Sequence, residues 1–249
     1  MIRNVAIMGA TGAVGQEILS ILEERNFPMQ SLKLLASERS AGKEFKFKGE
    51  TLKCEVLNKD SFKGVDLVLS SAGAAISQEF APIAVENGAV VVDNTSYFRM
   101  DPNVPLVVPE VNPEDIKLHK GIIANPNCTT IMMVVVLNPI EKISHIKKIH
   151  ISSYQSASGA GAVAMEELKQ QYKDILETGS TTHINKFPFQ LAYNVSPQID
   201  KMTENDYTKE EMKMFNETRK IMHSDVRTSA TCVRVRSLRS HSESVWFET

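Results

Sequence analysis

The chain has 249 residues, of which 42% are hydrophobic and 23% charged, and its formal net charge is -2. At about 100–200 residues per domain this allows one large domain or two moderate ones, and two are expected. The balanced charge argues against a disordered chain, a nucleic-acid-binding domain or a polybasic membrane patch, so no nucleic acid and no membrane are expected as partners.

Residues 1–4 lead straight into Val5-Ala6-Ile7-Met8 and a glycine turn, too short an apolar run for a signal peptide. The longest apolar run, residues 131–137, falls far short of the roughly 20 residues a membrane helix needs. Cys54, Cys128 and Cys232 form neither an even set nor a Cys-x-x-Cys pair. A disulfide framework and a metal site are therefore not expected, and a cytoplasmic location fits.

In chain order, residues 5–8 predict a strand, 14–24 a helix, 32–36 and 67–70 strands, 77–87 a helix and 89–93 a strand. This is βαβ grammar, and the unbroken Val/Ile/Leu runs suit a parallel sheet covered on both faces. Between them, Phe45-Lys46-Phe47-Lys48 and Thr51-Leu52-Lys53-Cys54 flank Gly49-Glu50, as in a small hairpin. Pro102, Pro105, Pro109 and Pro113 mark an extended connection towards Cys128. Beyond it come helical patterns at about 161–177 and 209–222, with strands at 148–154 and 230–235. Residues 240–249 alternate like a strand and stop without a turn or polar tail, so the chain is expected to be cut within an element.

Gly9-Ala10-Thr11-Gly12-Ala13-Val14-Gly15 follows a strand and opens a helix. Glycines there allow a tight turn and close backbone approach, and the helix start offers free N–H groups and partial positive charge to a pyrophosphate. After the second strand, Ser37, Arg39 and Ser40 stand where an adenosine ribose would lie. An arginine suits the 2′-phosphate of NADP, although Glu38 could meet the 2′-hydroxyl of NAD. Ser70, Ala72 and Gly73 end another strand at its carboxyl side, with small residues that leave room for a cofactor.

Cys128 follows Asn125-Pro126-Asn127. If residues 131–136 are helical, Asn127 caps that helix and the thiol sits at its positive end; their β-branched content also allows a strand. A cysteine nucleophile needs a base, and spacing does not choose among six histidines; His241 lies in the polar cluster Arg239-Ser240-His241-Ser242-Glu243.

These pieces, with Asn94-Thr95-Ser96-Tyr97-Phe98-Arg99, Asn125 to Thr130 and Ser152-Ser153-Tyr154-Gln155-Ser156-Ala157-Ser158-Gly159-Ala160-Gly161, resemble the aspartate-semialdehyde dehydrogenases in order and approximate spacing along the whole chain. The resemblance implies a Rossmann-type doubly wound parallel sheet at 1–127, binding NADP, followed by an α+β catalytic and dimerisation domain at 128–249. It also implies NADP-dependent reductive dephosphorylation of β-aspartyl phosphate through a Cys128 thioester, with His241 as general acid and base and Gln155 orienting the substrate. Arg99 would bind phosphate, Arg234 the carboxylate, Glu210 the amine and Lys213 the phosphate. Asn94, Ser158 and Gly159 join the cofactor residues, and a homodimer or homotetramer is expected.

Arg236 stands where that family usually has proline, and its members continue well past the catalytic histidine, so a C-terminal segment completing the first domain is expected to be missing. The alternatives are an N-acetyl-glutamyl-phosphate reductase and a catalytically silent nucleotide-binding fragment. A substrate amine for Glu210 favours the aspartyl enzyme.

Overall fold

The computed structural model describes residues 4–249; residues 1–3, part of the segment read as carrying no targeting signal, lie outside it. The chain divides into two compact units, Met1–Pro126 and Asn127–Thr249.

In the first unit the strands are β1 (Asn4–Met8), β2 (Ser31–Ala36), β3 (Glu44–Phe47), β4 (Glu50–Val56), β5 (Leu67–Ser70), β6 (Val90–Asp93) and β7 (Ile122–Ala124), with helices α1 (Ala13–Glu24) and α2 (Ala74–Glu86). They form one sheet in the order β3-β4-β2-β1-β5-β6-β7. All neighbours are parallel except the β3–β4 hairpin. Val5, Ala6, Ile7 and Met8 on the central strand are all 0% exposed, which is why no hydrophobic alternation appears there. Leu19 and Leu22 of α1 close one face by packing on Ile7, Leu34 and Ala36. The strand order reverses between β2 and β5 around β1, so the glycine turn after β1 emerges at the topological switch point.

The second unit contains α3 (Cys128–Glu141), β8 (Lys148–Gln155), α4 (Ala162–Thr178), β9 (Val195–Ser196), α5 (Lys209–Met222), β10 (Arg227–Val235) and β11 (Ser242–Glu248). Its sheet runs β11-β8-β10-β9, with β8 and β10 parallel and the edge strands antiparallel to their neighbours. Period-2 alternation is plain on β8: Ile149, Ile151, Ser153 and Gln155 are buried, while His150 and Tyr154 are exposed. α5 packs against β10 and α3, so the helices cover the face carrying Ile151, Ala230 and Cys232. The opposite face presents His150, Tyr154, Thr231, Ser244 and Trp246. A second cluster joins Ala164 and Leu168 of α4 to Phe187, Leu191 and Ala192. The intervening loop is tied down by Glu167, whose carboxyl oxygens accept the backbone N–H groups of Asn185, Lys186 and Phe187.

Candidate active site

The segment after Cys128 is helical. Thr130, Met133, Val134 and Leu137 recur at helical spacing and are all buried, so burial of one face outweighs the weak strand preference of the β-branched run. Asn127 is the N-cap, its Oδ1 accepting the Thr129 N–H at 3.0 Å. Cys128 is the first residue of the helix and is exposed, at the end where the dipole favours a thiolate.

Two further bonds fix the residue in front of the thiol. The Asn127 backbone N–H donates to Glu217 Oε2 at 2.6 Å, and its side-chain Nδ2 donates to Glu210 Oε1 at 2.9 Å. Both acceptors belong to α5, two turns apart, and both are buried. That helix starts with a capping box in which Thr208 and Glu211 bond reciprocally, and Glu211 Oε1 also accepts the Cys232 N–H at 3.0 Å.

Glu210 is the hub. It accepts from Asn127, from Gln155 Nε2 at 3.2 Å and from Lys213 Nζ at 2.8 Å. Burial acts to raise its pKa, but the Lys213 charge and these bonds outweigh it and hold the carboxyl below its ordinary value. Gln155 also donates to Ser153 Oγ at 3.2 Å, which fixes its amide and leaves its carbonyl oxygen out of these bonds. Arg234 lies opposite Gln155 on the neighbouring strand, mostly buried, with Nη1 donating to the Ser156 carbonyl at 2.7 Å. Burial lowers its pKa, and the charges of Glu210 and Cys128 oppose that shift. His241 Nδ1 lies 3.1 Å from the Ser156 backbone nitrogen. Burial first, and then the Arg234 charge, hold His241 below the usual histidine value. The second unit thus gathers Cys128, Gln155, Glu210, Lys213, Arg234 and His241. Such a set can offer a nucleophile, a proton-handling imidazole and cations for an anionic substrate.

Arg99 belongs to the first unit, 8% exposed, with Nη2 donating to the Asn94 carbonyl at 3.0 Å. Asn94 Oδ1 accepts from Asn125 Nδ2 at 2.7 Å. In the same unit Gly9 adopts φ +91°, and a Cβ there would lie 2.8 Å from the Ala72 backbone. A Cβ on Gly15 would stand 2.3 Å from the Gly9 carbonyl oxygen. The α1 start at Gly12 has no side-chain cap, leaving the N–H groups around Thr11, Ala13 and Val14 to a ligand. Ser37 and Arg39 are exposed on the turn after β2, and Ser40 Oγ lies 3.4 Å from Thr11 Oγ1. Ser70 is buried at the end of β5, leading to Ala72 and Gly73. Ser158 and Gly159, grouped with the cofactor residues by resemblance, lie in the second unit; a Cβ on Gly159 would meet Arg234 Nη1 at 3.1 Å and His241 Nε2 at 3.2 Å.

Sequence reasoning did not single out Glu217, Ser153, Ser156 or Glu243. Glu217 left a signal, since it shares the stripe Glu210, Met214, Glu217, Ile221 that the helix buries. Glu243 faces the same sheet side as Ser153; burial pushes its carboxyl, ordinarily near 4.5, up to about 7, and its Oε1 has no hydrogen-bond partner. Among the described residues no His/Cys/Asp/Glu group could hold a metal ion, and no helix is long and apolar enough to cross a membrane.

Residues 4–119 match the family model described as semialdehyde dehydrogenase, NAD binding domain, and residues 137–249 the model described as semialdehyde dehydrogenase, dimerisation domain. The chain is 56% identical over 246 residues to an aspartate-semialdehyde dehydrogenase of Synechocystis sp., covering 98% of this chain and 72% of that protein. It is 55% identical over 250 residues to the protein of the same name from Aquifex aeolicus, covering 99% and 74% respectively. A crystal structure of aspartate semialdehyde dehydrogenase II from Vibrio cholerae, complexed with ASA, superposes with a TM-score of 0.97 at 48% identity over 100% of this chain and 74% of that one.

Proposed function

The chain belongs to the aspartate-semialdehyde dehydrogenase family, and from that premise we propose that it reduces β-aspartyl phosphate to aspartate β-semialdehyde with NADP as cofactor, in lysine, methionine, threonine and diaminopimelate synthesis in the cytoplasm. The observation that supports this reading is the exposed Cys128 at the capped start of α3, in one unit with Gln155, Glu210 and Lys213, which bond among themselves and to the cap Asn127, and with Arg234 and His241, which share Ser156.

The residues of the first unit fit the nucleotide. Gly9 and Gly15 sit where any Cβ would collide with backbone, and the uncapped α1 start can receive a pyrophosphate. The preference for NADP rests on exposed Arg39 beside Ser40 and Thr11, groups suited to a 2′-phosphate. When bound, the reduced nicotinamide supplies hydride for the thioester carbonyl.

In the proposed cycle the Cys128 sulfur attacks the acyl carbon of β-aspartyl phosphate, the C–O bond to phosphate breaks, and the acyl group remains on sulfur as a thioester. Arg99 and Lys213 bind the phosphate; Arg234 takes the substrate carboxylate and Glu210 the amine. Gln155 turns its carbonyl oxygen to the substrate, and His241 handles protons at the reacting carbonyl, where the C–S bond finally breaks to release the aldehyde and return the Cys128 sulfur.

A homodimer is proposed to form over the open face of the second unit's sheet. There Tyr154 is 42% and Trp246 54% exposed, with the Trp246 ring 5.3 Å from that of His150. A second copy would bury these rings.

The test is NADP reduction by the chain with aspartate semialdehyde and inorganic phosphate. Turnover is expected to fall by roughly 10³-fold or more in Cys128→Ala. Persistence of the original rate in that variant would overturn the covalent mechanism, and NADP binding without any turnover by the parent chain would favour a silent nucleotide-binding fragment.

A further inference from the structure

Ser156 follows β8 and leads into the short turn Ala157–Ala160, and it is fully buried. Its one peptide environment serves two side chains at once. The Ser156 N–H donates to His241 Nδ1 at 3.1 Å, and the Ser156 carbonyl accepts from Arg234 Nη1 at 2.7 Å. Its hydroxyl lies 3.1 Å from the same Nδ1 and 2.8 Å from Ser158 Oγ. A backbone amide can only donate, so the ring nitrogen it meets must present a lone pair. In the neutral imidazole the proton then resides on Nε2. On that side stands Gly159, where a Cβ would come within 3.2 Å of Nε2 and 3.1 Å of Arg234 Nη1, so the absence of a side chain keeps both groups open.

We propose that the Ser156 main chain is a positioning element that locks His241 in the Nε2–H tautomer and orients Arg234, so that His241 first meets the substrate as a hydrogen donor through Nε2. The inference rests on the reading of His241 as the proton-handling residue. A neutral Nε2–H can hold the reacting carbonyl oxygen and is the proton that His241 passes to it. Burial first and then the Arg234 charge favour the neutral form that the lock requires; a hydrogen bond with the Ser240 backbone and the Glu210 charge oppose them, and the balance keeps the pKa below the usual histidine value. A donor to Nδ1 acts in the same direction as the first two, because protonation of Nδ1 would break that bond.

The lock is tested by ¹⁵N imidazole spectra of the full chain at pH 8, with the His241 signals assigned by comparison with His241→Gln. A protonated Nε2 and an unprotonated Nδ1 are expected; a proton on Nδ1, an imidazolium or tautomer-averaged signals would overturn it. Ser156→Pro then removes the N–H alone among the backbone groups. Its φ of -70° suits proline, and Gln155 before it is extended, as proline requires. Ser156→Ala keeps the N–H and is expected to keep the parent tautomer signal. In Ser156→Pro the tautomer signals should average, kcat should fall about 10²-fold with a smaller change in KM, and the acid limb of the kcat profile should move to higher pH. Parent tautomer signals in Ser156→Pro would sink the proposal, and if that variant fails to fold, the spectrum of the parent chain decides alone. Undiminished turnover by His241→Ala would instead refute the proton-handling reading, while leaving the tautomer result standing.

Discussion

Two helix starts in this molecule, those of α1 and α3, share the same dipole and differ in what fills them. α1 opens on Gly12 with no side-chain cap, behind Gly9 and ahead of Gly15. α3 opens on Asn127, whose Oδ1 takes one helix N–H while its own N–H and amide are taken by two carboxyl groups of α5. An uncapped start leaves donors for an outside anion. The start of α3 gives its Thr129 N–H to its own cap, and the clamp on that cap fixes the position of the residue that comes next. Here that residue is Cys128. The difference teaches that a helix N-terminus suits an outside anion when it is left uncapped, and holds a side chain in place when its cap residue is itself clamped.

The largest effect is expected where that contrast is most exposed to steric damage. A Cβ on Gly15 would lie 2.3 Å from the Gly9 oxygen and 2.8 Å from Ala10 Cα, so Gly15→Ala must push α1 off the turn. A loss of about 2–3 kcal/mol in stability is expected, along with NADP binding too weak to titrate by calorimetry. Gly12→Ala meets the Gly9 oxygen only at 3.3 Å and should be far milder. Equal damage from the two would show that glycine at this turn serves chain flexibility and not close approach.

The two helix starts were not equally legible in the sequence. The glycine loop could be read outright, because spacing, a preceding strand and a following helix are all local. Asn127 could be named as a cap only conditionally, since Ile131 to Val136 contain enough β-branched residues to suit a strand, and the choice is made by burial of Thr130, Met133, Val134 and Leu137. The clamp from Glu217, 90 residues away along the chain, left no local trace at Asn127. Ser156 was hidden for another reason: it acts through its main chain, which every residue type possesses. The long helices were readable from the period of their buried faces and the parallel strands from unbroken apolar runs, whereas β7, only three residues long, has too little sequence to carry either signal.

The clamp itself can be broken from the α5 side. Glu217→Ala removes the acceptor of the buried Asn127 N–H and leaves a void, with an expected cost of about 1–3 kcal/mol and a fall in kcat larger than any change in KM. Glu217→Gln retains a side-chain oxygen at that place and should recover most of the lost stability. Urea unfolding and steady-state kinetics measure both. If the alanine variant keeps the parent kcat, the start of α3 needs no support from α5, and the contrast with α1 reduces to the presence or absence of Asn127.

Self-sufficiency around α3 also has gaps, Thr130 Oγ1 and Glu243 Oε1 among them, and the second predicts the smallest effect. Glu243 lies on β11, which contacts α3, and its buried Oε1 finds no partner. Burial raises its pKa from an ordinary 4.5 to about 7, so the folded chain holds this proton more tightly than the unfolded chain does. Below pH 4.5 both states are protonated and the group costs nothing. As pH rises from 4.5 to 7 the unfolded chain ionises first, and stability falls; above 7 the loss is complete. The side chain is partly open to solvent, so screening holds the loss to about 1 kcal/mol. Glu243→Gln, which cannot ionise, should flatten urea midpoints across this window and leave the variant the more stable at pH 8. A parent chain whose stability from this group instead rises between pH 4.5 and 7 would mean that Glu243 has a positively charged or donating partner, which closes this gap in the polar layer beneath α3.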